Sequence, residues 1–177
     1  MGSLSVDDLY RQGTAAHNAS DYTQAVDIWR QVLQINPNLA SAHYQLGVAL
    51  AGQGQYEAAE AAHRESIRLD PNFAGAHDNL GVVLAEQGQY EAAEAAHRES
   101  IRLDPNFAGA HDNLGVVLAE QGRYEAAEAT FREVIRLAPN DASAYAGLGI
   151  SLHLQGRDAE AEAAFEEARR LGFESVF

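Results

Sequence analysis

The stretch Gln53–Gly88, QGQYEAAEAAHRESIRLDPNFAGAHDNLGVVLAEQG, occurs again without one change as Gln87–Gly122, an offset of 34 residues. A fixed period of this size constrains the fold more than composition does. Each unit is one supersecondary module that cannot bury its apolar face alone, so neighbours must stack into a solenoid. With Ala40 as the first residue of a unit, the chain divides without a gap into 6–39, 40–73, 74–107, 108–141 and 142–175, read as a single array.

Each unit carries two helical patterns. In the third, Ala74–Gln87 places Ala76, Leu80, Val83 and Leu84 on one side at helical spacing. Gly88 ends that helix, as a glycine in the left-handed region does. Tyr90–Leu103 forms the second helix, with Glu91 and Glu94 in its first turn where carboxylates suit the helix dipole. Glu94 and Arg98 stand four apart in the favourable order. Asp104-Pro105 ends it, because the residue before a proline is pushed out of the helical region. This punctuation by Gly and Pro excludes a long coiled coil. Small residues recur where helices must approach closely: Gly47, Gly81, Gly115 and Gly149 in the first helix, and Ala25, Ala59, Ala93, Ala127 and Ala161 in the second. A glycine inside a helix costs about 1 kcal/mol against alanine. Its recurrence at one register implies a packing gain that offsets this.

Charge narrows the partners. With 26 acidic and 12 basic residues, none of them Lys, the net charge is −14. An acidic chain without a basic stripe points away from nucleic acid and from anionic membrane. There is no Cys and hence no disulfide framework or thiol chemistry. The N-terminus lacks the basic and apolar regions of a signal peptide, and no apolar run has membrane-spanning length. The expected compartment is the cytoplasm.

The repeated residues resemble the tetratricopeptide repeat, whose period is 34 residues. In the third unit His77, Leu80, Gly81, Leu84, Ala93, His97 and Pro105 stand at the pattern positions. In the fourth, His111, Leu114, Gly115, Leu118, Ala127, Phe131 and Pro139 do so. The first unit has Gln12 where the pattern has Leu. His43, His77 and His111 replace the pattern's Trp, and His63 and His97 replace its second aromatic. The resemblance implies an all-α, right-handed superhelix (an α-solenoid) of five antiparallel helix pairs. It also implies a concave groove lined by the first helix of each pair.

On that basis the groove residues are Tyr10 and Arg11; Tyr44, Gln45 and Val48; Asp78, Asn79 and Val82; Asp112, Asn113 and Val116; and Ile150. Asn79 and Asn113 resemble an asparagine ladder that grips extended peptides by their main chain, since an amide both donates and accepts. Asp78 and Asp112 would favour a basic segment. The carboxylate clamp of chaperone-binding relatives is absent, because the chain has no Lys and Arg11 is its only groove arginine.

Other chemistry finds little support. His43, His77 and His111 recur one repeat apart, which on adjacent hairpins is about 10 Å, too far for one ion. They are read as half-buried imidazoles at inter-helix contacts, and buried neutral imidazoles should titrate below their ordinary range. No catalytic motif appears, so the chain is expected to be neither an enzyme nor a holder of cofactor or metal. The expected function is a scaffold binding a peptide or protein segment in its groove. Two alternatives stay open: a self-assembling structural module, and a substrate-recruiting fragment of a larger enzyme such as a glycosyltransferase. At the end, Arg169 replaces the aliphatic residue of the other second helices (Leu33, Ile67, Ile101, Ile135), and Phe173, Val176 and Phe177 offer an apolar surface for self-association. The exact duplication extends to exposed positions such as Glu86/Glu120 and Arg64/Arg98. Packing does not demand identity there, so the module was copied, by natural duplication or by engineered insertion.

Overall fold

A computed structural model describes residues 5–173. Among them every regular element is an α-helix, ten in tandem. The chain divides into two compact units, 1–88 and 89–177. The first holds α1 (Val6–Asn18), α2 (Tyr22–Ile35), α3 (Ala40–Gly52), α4 (Tyr56–Leu69) and α5 (Ala74–Glu86). The second holds α6 (Tyr90–Leu103), α7 (Ala108–Glu120), α8 (Tyr124–Leu137), α9 (Ala142–Leu154) and α10 (Asp158–Arg170). The seam falls between α5 and α6, so all four repeat-to-repeat junctions (α2 on α3, α4 on α5, α6 on α7, α8 on α9) lie inside a unit.

The hairpin turns follow from one left-handed residue. Gly54, Gly122 and Gly156 have φ of 73°, 73° and 76°. The next amide, on Gln55, Arg123 or Arg157, donates back to Leu50, Leu118 or Leu152 at 2.9, 2.9 and 3.0 Å. These bonds satisfy carbonyls that the helix end would otherwise orphan. In the first unit the same register holds Ser20, at φ 57°.

The longer turns are braced by polar side chains. Asn36, Asp70 and Asp104 accept from the amides of Asn38, Asn72 and Asn106 at 3.3, 3.1 and 3.1 Å. The rings of His43, His77 and His111 each bond through Nε2 to the carbonyl of the proline six residues earlier (Pro37, Pro71, Pro105), at 2.9, 3.0 and 3.0 Å. These imidazoles are half-buried, as expected. Beyond filling space, they tie the turn to the helix that follows it. The last such turn has Tyr145 at that register, and there Asp141 caps α9 instead, accepting from Ser143 and Ala144.

Close approach explains the recurring glycine. A Cβ on Gly13 would lie 2.7 Å from the Trp29 ring; on Gly47, 2.6 Å from His63; on Gly115, 2.9 Å from Phe131; on Gly149, 2.6 Å from Phe165. In each pair the first helix sits directly on the ring of the second. Trp29, Val32, Leu50 and Val83 anchor the core of the first unit. Leu114, Leu118, Phe131, Leu148 and Leu152 anchor the second.

Glutamates stitch one repeat to the next. Glu60 accepts from Gln87 at 3.0 Å, Glu94 from Arg123 at 2.7 Å, and Glu128 from Gln155 and Arg157 at 2.9 and 2.7 Å. Each also pairs with the arginine four residues on, Arg64, Arg98 or Arg132. Burial alone would raise the Glu128 pKa. Gln155, Arg132 and Arg157 outweigh it and hold the carboxyl below the ordinary range.

Candidate functional site

In unit 1 the first helices α1, α3 and α5 bring several expected groove residues onto one surface. Tyr10 stands edge-on to Trp29, with centroids 4.7 Å apart and planes at 77°. Tyr44 lies against Phe73 (4.8 Å) and His63 (5.8 Å). Gly75 leaves room for this cluster, since a Cβ there would meet Phe73 at 3.3 Å and Tyr44 at 3.7 Å. The Asn79 side chain lies near the Tyr44 hydroxyl. Burial, the larger effect, pushes the phenol's pKa up against the influence of that amide, and the nearby Asp78 and Tyr10 push it the same way. Tyr10, Tyr44, Gln45, Val48, Asn79 and Val82 are all partly accessible. The amide of Asn79 can both donate to and accept from a ligand.

One expectation needs correcting. Asp78 is only 5% exposed, so its carboxylate is not displayed to a basic ligand. Arg11 is exposed, and its guanidinium pairs with Asp8 one turn earlier.

In unit 2, Val116 and Ile150 are exposed at 48% and 44%, and Asn113 is half-buried. Asp112 is half-buried too, and its Oδ1 is enclosed without a hydrogen-bond partner. Burial, with a smaller contribution from Asp141, pushes its carboxyl pKa up. It is therefore a poorer anchor for a cation than an exposed carboxylate. Ile150 lines an apolar groove of about 590 Å³ with Leu154, Phe165, Ala168 and Phe173 at the end of the unit. Val176 and Phe177 lie outside the described residues.

The histidine of the second helix behaves as a core residue. His63 is 1% exposed, and burial lowers its pKa to about 4. Its Nδ1 has no partner. Among the described residues, no three His, Asp or Glu side chains converge to hold a metal ion, and no helix is long and apolar enough to cross a membrane.

Known proteins match this architecture. The family model of the middle tetratricopeptide-like domain of cilia and flagella-associated protein 70 matches residues 76–172, more than half of the chain. Models of the tetratricopeptide repeat itself match 13–54 and 40–73. Among curated proteins there is no match. Of solved structures, PilF of Pseudomonas aeruginosa is 24% identical, with a TM-score of 0.87 over 96% of this chain and 78% of its own. MamA of Desulfovibrio magneticus RS-1 is 20% identical, with a TM-score of 0.84 over 94% of each chain. YrrB, described as a tetratricopeptide-repeat protein with an unusual peptide-binding site, is 18% identical, with a TM-score of 0.75 over 95% of this chain and 87% of its own. At these identities the likeness is one of fold.

Proposed function

Because the chain belongs to the tetratricopeptide-repeat family, we propose that it is a non-catalytic scaffold holding an extended peptide or protein segment on the first helices of its repeats. In unit 1 Asn79 grips the main chain, and Tyr44, Val48 and Val82 supply adjacent contact surface; Asn113 offers the same amide within unit 2. The observation that carries this is an accessible aromatic patch in unit 1, Tyr44 packed on Phe73 at 4.8 Å with the Asn79 amide beside its hydroxyl. A surface formed beforehand lowers the entropy lost on binding. The net charge of −14 favours segments carrying Lys or Arg through the field of the whole chain, since Asp78 is buried. YrrB, of the same fold, is a peptide binder, in keeping with this use of the surface.

A random-peptide selection on the intact protein provides ligands. Their affinity is then measured on Asn79→Ala, Asn113→Ala and the double variant. Main-chain hydrogen bonds contribute about 1 kcal/mol each, so an amide that both donates and accepts, lost to Ala, weakens binding within its unit on the order of thirtyfold. Tyr44→Phe keeps the ring and should weaken binding less. Selected peptides that bind the double variant as well as the native protein overturn the proposal.

A further inference from the structure

Tyr44 of α3 is the centre of an aromatic patch in unit 1. Its ring centroid lies 4.8 Å from that of Phe73, with planes at 39°, and 5.8 Å from that of His63. Tyr10 on α1 is close enough to act on the Tyr44 phenol, and it stands edge-on to Trp29. Tyr10, Tyr44 and Phe73 are all half-buried, so each is held by packing and still offers ring surface to a ligand. A Cβ on Gly75 would lie 3.3 Å from the Phe73 ring and 3.7 Å from the Tyr44 ring; with glycine there, the approach from α5 stays clear. Unit 2 has no such patch at the matching registers. Where Tyr44 and Phe73 stand, it holds Asp112 and Asp141.

The patch is electrostatically negative. Aromatic faces carry the negative end of the ring quadrupole. Asp78, 5% exposed, is near enough to Tyr44 to raise its phenol's pKa, and a buried carboxylate is screened less by salt than an exposed one. Helices α1, α3 and α5 carry Asp7, Asp8, Asp78 and Glu86 against a single arginine, Arg11, and that one is paired with Asp8. The imidazole packed on Tyr44 adds no charge at neutral pH, because burial holds the His63 pKa at about 4. The rings of His43 and His77 are bonded to the Pro37 and Pro71 carbonyls.

We propose that this patch is the pocket for one arginine side chain of the bound segment, its guanidinium plane lying on the rings of Tyr44 and Phe73 while Asn79 holds the main chain; the pocket rests on the peptide-binding reading of this surface. A guanidinium is planar, weakly hydrated and always charged, so it stacks on rings and answers the negative field at once. A lysine ammonium brings the same charge as a compact, strongly hydrated point and covers no ring. Proline fits aromatic-lined grooves but gains nothing from the field. An aliphatic side chain gains nothing from it either.

The probes are labelled peptides Gly-Ser-Ala-Xaa-Ala-Ser-Gly in which Xaa is arginine, its neutral isostere citrulline, lysine, proline or leucine. Each is titrated into the intact protein by fluorescence anisotropy in low salt. The arginine peptide should bind about tenfold tighter than the citrulline peptide and about threefold or more tighter than the lysine peptide. Tyr44→Leu and Asp78→Asn in the protein should each shrink the arginine advantage. Tyr44 is half-buried and Asn keeps the shape of Asp78, so both variants keep their helical circular dichroism. Asn79→Ala should weaken all five peptides by a similar factor. Equal affinities for the five, all reduced by Asn79→Ala, overturn the arginine pocket and leave the main-chain grip standing. Lysine, proline or leucine binding as tightly as arginine overturns it too. An arginine preference untouched by both Tyr44→Leu and Asp78→Asn belongs to the net charge of the chain and overturns the pocket. If none of the five binds, the pocket falls; if the random-peptide selection also yields no ligand, the peptide-binding reading falls with it.

Discussion

Replacing His63 with Phe should uncouple part of the stability from pH. The site tolerates the change, because Phe131 and Phe165 lie on Gly115 and Gly149 much as His63 lies on Gly47. Burial holds the folded His63 pKa at about 4, against 6.5 for an ordinary imidazole. The unfolded chain therefore binds the proton more readily throughout that interval. His63 imposes almost no penalty above pH 7; stability is lost as pH falls from 6.5 towards 4, then levels off. Between pH 7.5 and 5 these two values give a loss of about 2 kcal/mol. Phe titrates nowhere, and it also removes the unpartnered buried Nδ1, whose burial costs about 1–3 kcal/mol. The assay is urea unfolding followed by circular dichroism at pH 7.5, 6.5, 5.5 and 5.0 for both proteins. The carboxylates are common to both, so the difference between the two curves isolates His63. The variant should be at least as stable at pH 7.5, and its advantage should widen by about 2 kcal/mol by pH 5. Parallel curves across this range would refute a neutral, buried His63.

Glu128→Gln removes the acceptor shared by Arg132 and Arg157 while keeping the shape. It should cost about 1 kcal/mol in low salt and less in high salt, read as a shift of the urea midpoint. Because the Glu128 carboxyl is held below its ordinary 4.5, the native pairing should fade only below that pH, beneath the pH 5 limit of the His63 assay. Ser20→Gly should stabilise the first hairpin by about 1 kcal/mol, because an L side chain in the left-handed region is strained and glycine is not. An unchanged melting temperature would show that Ser20 is not strained.

Element bounds were legible because each is set by a local stop signal. The second helix of the third repeat runs Tyr90–Leu103 as expected, and the first ends at Glu86, one residue short, with Gln87 as its cap. The register glycines were legible too, since a costly residue repeated at one position implies contact. The three bracing histidines were read only as replacements for aromatics. The missed signal was their constant spacing of six residues after Pro37, Pro71 and Pro105. The state of Asp78 and Asp112 was not legible at all. Both sit in the same repeated stretch, yet one is buried and the other half-buried, with Asp141 raising its pKa. A difference between identical segments must come from what packs around them, which no local pattern encodes.

The contrast between the polar outward side of α1 and the apolar side of α10 matters for folding during synthesis, which runs from N- to C-terminus. Of these ten helices α1 emerges first, and its outward side, with Asp8, Arg11 and Gln12, needs no cover while the other nine are made. At every later stage the sticky surface is the one most recently completed, and the next helix to leave the exit tunnel is the one shaped to close it. The nascent protein thus carries at most one repeat's worth of uncovered apolar surface at a time, however many 34-residue modules duplication adds.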